Sequence, residues 1–368
     1  MRVPALVISL LLASNAVGKP LVLRAARLYD GKSDAIVAPG LVVVDGNKIT
    51  AVGARATPPA GAEVIDLGDV TLLPGLMDAH THLSGEATDD WNRDELDYFK
   101  KEIAQRAIES VERAHRTLMA GFTFVRDVGS DHFIDVGLRN AIDEGKVPGP
   151  RMLVAGYAIG ARGGHCDDGA GYRQGLLKES DFTMGVADGP DQIRSAVRYT
   201  IMHGASVVKV CASGGVLSLT DNIDSPQLTQ AELDALVDEA HALGRKTAAH
   251  AHGAEAAKRA LRAGIDSIEH GTFIDDEGLD LMKKKGAWLT FTPTLCLEER
   301  MRKNGAPPLV VAKAAAAKAR EDAMFRRALQ KGVNLAFGSD AAVCPHGEQV
   351  KQFAKMVSLG MKPLAAIR

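Results

Sequence analysis

Residues 71–82 read Thr-Leu-Leu-Pro-Gly-Leu-Met-Asp-Ala-His-Thr-His, an apolar segment that ends in polar side chains. The segment has the composition of a buried strand, and one residue separates His80 from His82. Side chains two positions apart in an extended chain lie on the same face, so both imidazoles can bind one cation. Two surface histidines on a turn would give the same pattern. The ends of the other strands therefore decide the interpretation.

Beyond this segment, strand-like apolar runs alternate with helix-like periodicity, which is typical of a parallel sheet with crossover helices. With the first run included, strands are predicted at residues 72–79, 122–127, 152–155, 207–211, 247–251, 267–269, 288–292 and 335–338. Helices are predicted at residues 96–119, 191–203, 229–243, 254–263, 276–285 and 309–331. These units predict an α/β fold, a (β/α)8 TIM-like barrel, whose chemistry lies at the carboxyl ends of the strands.

Residues that can bind metal follow several of the predicted strands. Besides the His80 and His82 pair, they are Lys209, His250, His270 and Asp340. The carboxyl ends of barrel strands share one mouth, so these side chains are predicted to converge. Lys209 lies between two valines, where a charged amine is costly to bury. The pattern indicates a special role for Lys209, and a lysine satisfied by a salt bridge is the alternative.

The segment 74–82, read together with these strand ends, resembles the signature of the metal-dependent amidohydrolase superfamily. The resemblance implies two divalent metal ions, with zinc expected, and a catalytic role for Asp340 in proton transfer to the leaving nitrogen. It implies that His80 and His82 bind the more buried metal, that Lys209 carries a CO2-derived carbamate bridging both metals, that His250 and His270 bind the second metal, and that Asp340 contacts the first metal and the bridging hydroxide.

Shorter motifs at residues 163–165, 213–216, 250–253 and 268–272 resemble dipeptidases of the Xaa-Pro, Xaa-Arg and Xaa-Lys type. Relatives of those enzymes also hydrolyse N-acyl amino acids and ochratoxin. The resemblance implies cleavage of the amide bond to a C-terminal amino acid in a dipeptide or an N-acyl amino acid. It also implies that His165 binds substrate or the tetrahedral oxygen, and a solvated loop histidine is the alternative.

Other functions stay open on the same fold. His252 and Glu255 match the His-x-x-Glu pattern of mononuclear nucleobase-type deaminases, although Lys209 argues against that function. His250 is therefore favoured over His252 as the metal ligand. A lactone or phosphotriester hydrolase would keep both metals but prefer an ester. A non-catalytic barrel would lack ligands, whereas this set is complete.

The N-terminal residues predict an exported protein. Arg2, the apolar run 3–12 and the small residues 13–18 have the order of a signal peptide, with a first buried strand as the alternative. We expect a periplasmic or secreted protein with no stable membrane anchor after cleavage. Residues 19–70 predict a small antiparallel β-sandwich domain, and residues 71–368 the barrel. The sequence ends inside the predicted last helix, so the C-terminal part of the sandwich is expected to be missing.

The charges and cysteines limit the partners. Lys+Arg 44 against Asp+Glu 46 gives a net charge of -2, which argues against nucleic acid. A small-molecule peptide or N-acyl amino acid is the expected partner, and a homo-oligomer is compatible with the sequence. The chain has 4 Cys and no CxxC pair, which excludes a disulfide scaffold and a cysteine zinc finger. Because all four follow strands, a Cys166–Cys344 disulfide is one expectation and buried free thiols are the other.

Arg126 and Asp127 close the second predicted strand. An arginine beside an aspartate at that position predicts a structural ion pair beneath the site.

Overall fold

The computed structural model describes residues 19–293 and 295–368, which form two compact units. The boundary lies after Pro74, and Arg368 groups with the first unit. The predicted signal peptide, residues 1–18, lies outside the described residues. Within the described ranges, no helix is both long enough and apolar enough to cross a bilayer.

The N-terminal unit consists of short strands in two small sheets. The strands are β1 (Leu21–Ala25), β2 (Arg27–Tyr29), β3 (Ile36–Val37), β4 (Gly40–Asp45), β5 (Lys48–Val52), β6 (Glu63–Asp66) and β7 (Thr71–Leu72). One sheet has the order β5-β4-β1-β6 and the other has the order β3-β2-β7. Val22, Leu28, Tyr29 and Val43 are buried in this unit.

The pairing in this unit is mixed rather than antiparallel, so that part of the prediction is wrong. β1 pairs with β6, and β2 with β7, in parallel, while the other pairs are antiparallel. Parallel neighbours require a long connection between the two strands. Residues 26–62 form that connection between β1 and β6.

In the described residues of the second unit, eight strands follow the predicted segments closely. They are β8 (Leu76–Thr81), β9 (Phe122–Asp127), β10 (Arg151–Val154), β11 (Val207–Cys211), β12 (Lys246–Ala251), β13 (Ser267–His270), β14 (Trp288–Phe291) and β15 (Asn334–Phe337). These strands form two sheets, one of order β10-β9-β8 and one of order β11-β12-β13-β14-β15. Neighbouring strands are parallel in both sheets.

Hydrogen bonds also connect the two sheets at both edges. The Ile159 N–H donates to the Lys209 carbonyl at 2.8 Å, which links the chain after β10 to β11. The Ser339 and Asp340 N–H groups donate to the His80 carbonyl at 3.2 and 2.8 Å, which links the chain after β15 to β8. The unit therefore has the strand order and connections of a TIM-barrel-type α/β fold.

Helices follow or separate these strands. They are α1 (Trp91–Lys100), α2 (Ile103–Met119), α3 (Ile134–Asp143), α4 (Pro190–Met202), α5 (Gln230–Ala242), α6 (Ala254–Ala263), α7 (Asp276–Lys285), α8 (Leu297–Lys303), α9 (Pro308–Lys331), α10 (Lys351–Ser358) and α11 (Pro363–Ile367). The single helix predicted at 96–119 is in fact α1 and α2. Lys101 and Glu102 adopt extended backbone angles between them, which ends one helix before the other begins.

Candidate active site

Strand alternation directs Lys209 and His250 away from the apolar core. Val208 and Val210 on β11, and Ala249 and Ala251 on β12, belong to the largest hydrophobic cluster. Successive side chains of a strand point to opposite faces. Lys209 and His250 therefore face the interior of the strand array, where both line one cavity.

His270 and Asp340 reach the same cavity because their backbones leave the strand conformation. His270 has a φ of 70° and Asp340 a φ of 54°, both in the left-handed region. Such angles are uncommon outside glycine and redirect the side chain. Glu269 and His270 can thus both approach His80, although they are adjacent in sequence.

The histidines and Asp340 form two overlapping groups of candidate ligands. His250, His252 and His270 form one group, and His80, His270 and Asp340 form the other. Within each group the ligand atoms all lie within 4.8 Å of one another. His82 joins the second group through its Nε2, which is 3.5 Å from Asp340 Oδ1.

Hydrogen bonds select the tautomer of three of these rings. His80 Nδ1 donates to Glu269 Oε2 at 2.9 Å, and His82 Nδ1 donates to the Gly129 carbonyl at 2.9 Å. His250 Nε2 donates to the Gly214 carbonyl at 3.1 Å. A carbonyl or carboxylate can only accept, so the other nitrogen of each neutral ring keeps its lone pair. This arrangement orients histidines for metal binding.

The electrostatics of the ligand groups also suit a metal. Burial lowers the pKa of His82 to about 4 and lowers the pKa of His250 and His270 well below the ordinary value. Burial raises the pKa of Asp340, but His80, His82 and Lys209 outweigh it, so that this pKa lies well below its usual range. His82, His250 and His270 are thus neutral imidazoles beside an ionised carboxylate, which are the forms that bind divalent cations. Burial and Lys209 lower the pKa of His80, but Asp340 and Glu269 outweigh them, so that the pKa of His80 is raised.

Lys209 is buried beside this cluster. Burial lowers its pKa to about 8. Among the described residues, no hydrogen bond or ion pair reaches its Nζ, so the alternative of a salt-bridged lysine is not found.

Arg126 lies beneath the cluster, but its partner is Glu269 rather than the predicted Asp127. Arg126 Nη2 is 2.7 Å from Glu269 Oε1, and Nη1 donates to Ser267 Oγ at 2.9 Å. Consecutive residues of β9 face opposite sides, which separates the Arg126 and Asp127 side chains. Asp127 instead accepts the Leu83 N–H at 2.6 Å. Glu269 thus joins Arg126 to His80.

Asp78 is a further buried group that sequence reasoning missed. It accepts the Ser339 hydroxyl and, at 3.0 Å, the Ser339 N–H, which connects β8 to the segment bearing Asp340. Burial raises the pKa of Asp78 to about 6 despite these bonds. The available signal was an acidic side chain inside an apolar strand.

His165 lies against the cluster, where the sequence predicted a substrate contact. Its ring stacks on that of His250 with the centroids 4.3 Å apart. Its Nδ1 lies 3.1 Å from Ser218 Oγ, and the Ser218 hydroxyl donates to Asp221 Oδ1 at 2.7 Å. Because the carboxylate takes the hydroxyl proton, the Nδ1–H of a neutral His165 donates to Ser218. The Nε2 of that ring is then an acceptor.

Lys313 holds Asp221, the carboxylate that accepts the Ser218 hydroxyl. Its Nζ donates to Asp221 Oδ1 at 2.8 Å, and both side chains are buried. Burial lowers the pKa of His165 to about 4, so the ring is neutral at physiological pH. A neutral His165 can accept an N–H from a substrate but cannot donate to a tetrahedral oxygen from Nε2.

His252 lies closer to the cluster than the sequence indicated, whereas Glu255 does not approach it. His252 Nδ1 is 2.7 Å from Thr272 Oγ1, and the ring stacks on that of His270. Glu255 is exposed on α6, where it pairs with Arg259 at 3.1 Å. The two residues of the His-x-x-Glu pattern are therefore not brought together.

A cavity of about 460 Å³ connects these groups. It is lined by His80, His82, His165, Lys209, His250, His252, His270 and Asp340, with Tyr98, Arg106, Asp131, Tyr157, Asp168 and Glu321 among its other residues. Its size falls in the range of sites for small organic ligands.

Both expectations for the cysteines are wrong. The disulfides are Cys166–Cys211 and Cys296–Cys344, and none of the described cysteines is free. Their Cα atoms lie 5.9 and 5.8 Å apart. Cys166, after β10, is joined to Cys211 at the end of the neighbouring strand β11. Cys296 and Cys344 follow the neighbouring strands β14 and β15. Cys166 and Cys344 follow strands that are not neighbours.

Comparison with known proteins identifies the family. Residues 71–368, which span the second unit, match the amidohydrolase family. The chain belongs to the amidohydrolase family. The predicted resemblance and the predicted enzyme class, a metal-dependent amidohydrolase, are thereby confirmed.

Individual relatives agree with this assignment. The amidohydrolase chain is 31% identical to Aspergillus niger ochratoxinase over 98% of its own length and 76% of the relative's. It is similar to a solved Xaa-Pro dipeptidase with methionine in its active site, with a TM-score of 0.88, 39% identity, and coverage of 95% and 86%. A prolidase complexed with N-methylphosphonate-L-proline has a TM-score of 0.84, 32% identity, and coverage of 95% and 85%.

The contacts of His165 give a first prediction for this amidohydrolase. Ser218→Ala removes the hydroxyl between Asp221 and His165, so we expect the kcat/KM of hydrolysis to fall roughly 10-fold, the effect of one hydrogen bond. Ser195→Ala is the control, because that exposed hydroxyl on α4 donates only to the carbonyl of Asp191. Steady-state kinetics of both variants test it, and a Ser218→Ala enzyme within twofold of the control would contradict it.

Proposed function

We propose that this chain is a binuclear metal-dependent hydrolase of the amide bond to a C-terminal amino acid, in dipeptides or N-acyl amino acids. The convergence of two overlapping groups of imidazoles with Asp340, beside a buried lysine, carries the proposal. The similarity to a Xaa-Pro dipeptidase and to an ochratoxinase supports this substrate class.

The donor chemistry fits two metals. His80, His82 and Asp340 would hold the first metal, and His250 and His270 the second, with a carbamate on Lys209 between them. Imidazole and carboxylate ligands suit zinc. When bound, two such cations lower the pKa of a shared water and polarise the scissile carbonyl.

Lys209 is suited to carboxylation. Its pKa of about 8 leaves part of the amine unprotonated at neutral pH, and that form combines with CO2. The product replaces a buried cation with an anion, which removes the cost of burying an unpaired ammonium group.

Asp340 and His165 would act on the substrate directly. The ionised Asp340 carboxylate accepts the proton of the attacking water and returns it to the amide nitrogen, since an amine leaves only when protonated. His165 would accept an N–H of the bound substrate through Nε2, which orients the amide for attack.

We also infer that the eight strands close into one barrel and that the protein is exported. The hydrogen bonds at both edges of the two sheets support closure. Disulfides persist in oxidising compartments, so Cys166–Cys211 and Cys296–Cys344 support a periplasmic or secreted location. N-terminal sequencing of the mature protein tests export, and a retained Met1 would contradict it.

The substrate experiment uses the full chain loaded with zinc and bicarbonate. Amine release is measured across Ala-Xaa dipeptides and N-acetyl amino acids, while metal analysis and native mass spectrometry measure bound zinc and the mass of one CO2 on Lys209. We expect hydrolysis that depends on the C-terminal residue. If a protein with two bound metals released no amine from any of these substrates, the proposal would be overturned.

A further inference from the structure

Of the acidic side chains that line the active-site cavity, one has no hydrogen-bond or ion-pair partner in the described part of the chain. Arg106 and Asp131 form a bidentate pair, with Nη2 and Oδ1 2.7 Å apart, and Glu321 accepts from Lys318 Nζ at 2.6 Å. Asp168 lines the same cavity, and among the described residues no hydrogen bond or ion pair reaches its carboxylate. Asp168 is exposed, so its carboxylate is open to a ligand that enters this cavity.

The loop that carries Asp168 is held close to the ligand cluster. Asp167 accepts the Gly163 N–H at 2.8 Å and the Gly169 N–H at 3.0 Å, which fixes the turns on both sides. Asp168 follows His165 by three residues, so their Cα atoms are at most about 11 Å apart. Because His165 stacks on His250, the carboxylate lies within reach of a small substrate bound there.

Asp168 also lies where the cavity continues into a second space. An adjoining cavity of about 450 Å³ shares Ser84, Tyr98, Arg106, Asp168, Leu217, Ala342 and Val343 with the first. The basic side chains of the second cavity are already paired. Lys101 lies 3.0 Å from Glu109, and Arg113 lies 2.9 Å from the same carboxylate. Desolvation and the charges of Asp131 and Asp167 raise the pKa of Asp168 to about 6, and they outweigh the opposing effects of Arg106 and His132.

Three tyrosines line the same cavities as this carboxylate. Burial raises the pKa of Tyr98, Tyr157 and Tyr172, and the Asp168 charge raises each of them further. Tyr98 and Tyr157 line the first cavity, and Tyr172 lines the second. A carboxylate among aromatic rings favours a cation, through charge and through the ring faces.

We infer that Asp168 binds the ammonium group of the substrate's acyl residue, so that the enzyme prefers dipeptides to N-acyl amino acids. Both substrate classes carry a C-terminal carboxylate, and only a dipeptide adds a cation that Asp168 can neutralise. An uncharged acyl group would displace water from this exposed carboxylate without supplying a cation in its place. The inference rests on the proposed amide hydrolysis and selects between the two substrate classes that it leaves open.

The test compares Ala-Leu with N-propionyl-leucine, which differ only by an ammonium group in place of a hydrogen. At about pH 7 most of the ammonium is protonated and most of a carboxyl with a pKa of about 6 is ionised. We expect Asp168→Asn to lower the kcat/KM ratio of Ala-Leu to N-propionyl-leucine roughly 10- to 100-fold, as expected for a charged hydrogen bond. Hydrolysis of N-propionyl-leucine should stay within about twofold.

Asp188→Asn is the matched control, because it removes an exposed carboxylate of the same loop that pairs with Arg162 outside the cavity. It should leave the ratio unchanged. An unchanged ratio in Asp168→Asn would overturn the inference while the proposed hydrolysis stands. If the zinc-loaded wild type hydrolysed neither substrate, both the proposed amide hydrolysis and the inference about Asp168 would be overturned. The two failures can therefore be told apart. The retained activity on N-propionyl-leucine shows that the variant is folded.

Discussion

Asp340→Asn is expected to reduce kcat for amide hydrolysis by about 10²- to 10⁴-fold, the usual contribution of a general acid–base group. The Asp340 Oδ1 lies 3.4 Å from His80 Nε2 and 3.5 Å from His82 Nε2, among the candidate ligands. Its lowered pKa keeps the carboxylate ionised and able to accept a proton. An amide oxygen in the same place can still contact a cation but cannot carry that proton.

Asparagine is the informative substitution because of the backbone at this position. Asp340 has a φ of 54°, and its N–H donates to the His80 carbonyl at 2.8 Å. Asparagine and aspartate adopt the left-handed region more readily than other side chains. The variant should therefore keep the fold, and its loss of activity should reflect chemistry rather than strain.

The measurement is steady-state hydrolysis of a dipeptide with zinc-loaded enzyme, together with the bound metal content. Asp188→Asn controls for the loss of a carboxylate elsewhere on the surface. Equal metal content with a large loss in kcat supports the catalytic role. Activity within tenfold of wild type would contradict it, and activity recovered by added zinc would assign Asp340 to metal binding alone.

The sequence could predict the strands of the second unit because each is an apolar run that ends at a chemically distinctive residue. The strand bounds agree with the predicted segments to within a few residues. One cavity is lined by all six predicted ligands: His80, His82, Lys209, His250, His270 and Asp340. This convergence follows from parallel strands with a shared carboxyl end. The convergence of these ligands can therefore be predicted without knowing which side chains are in contact.

The contacts between strands could not be predicted in the same way. The Arg126 partner is Glu269, 143 positions away, and the disulfides join cysteines 45 and 48 positions apart. Such pairs depend on which strands are neighbours and on which face each residue occupies. The sequence places Arg126 beside Asp127, whereas β9 turns their side chains to opposite faces.

Single backbone angles account for other differences. Strict strand alternation would turn His270 and its neighbour Glu269 to opposite faces. The φ of 70° at His270 lets that side chain enter the cavity nevertheless. Lys101 and Glu102 end one helix and begin another, although the apolar periodicity continues across them. Periodicity in sequence records which face is apolar and does not record where the backbone bends.

Glu269→Gln is expected to lower the free energy of unfolding of the metal-free protein by about 3–5 kcal/mol, as when one partner of a buried ion pair is removed. The Glu269 side chain is completely buried and that of Arg126 is 14% exposed, with Nη2 and Oε1 2.7 Å apart. Burial raises the pKa of Glu269, but Arg126 and His80 outweigh it and lower the pKa to about 2. The glutamine variant would leave the Arg126 guanidinium buried without an anion.

The same substitution should weaken zinc binding by about 10- to 100-fold, because Glu269 fixes the His80 tautomer through Nδ1. Urea unfolding and zinc competition with a chelator measure the two effects. Glu299→Gln on α8 is the control, since that carboxylate and its partner Lys303 are exposed and should matter little. A Glu269→Gln protein as stable as this control would contradict the prediction.

A double variant separates the ion pair from the rest of the Glu269 network. Arg126→Met together with Glu269→Gln removes both charges, so no unpaired ion stays buried. If the cost of the single change comes from a stranded guanidinium, the double variant should recover about 0.5–3 kcal/mol relative to the sum of the two single changes. Simple additivity would show instead that Glu269 stabilises the fold through the hydrogen bonds that it accepts from His80 Nδ1 and, at 2.6 Å, from the Ser267 hydroxyl. Zinc affinity should stay low in the double variant under either outcome, because neither protein offers His80 a carboxylate.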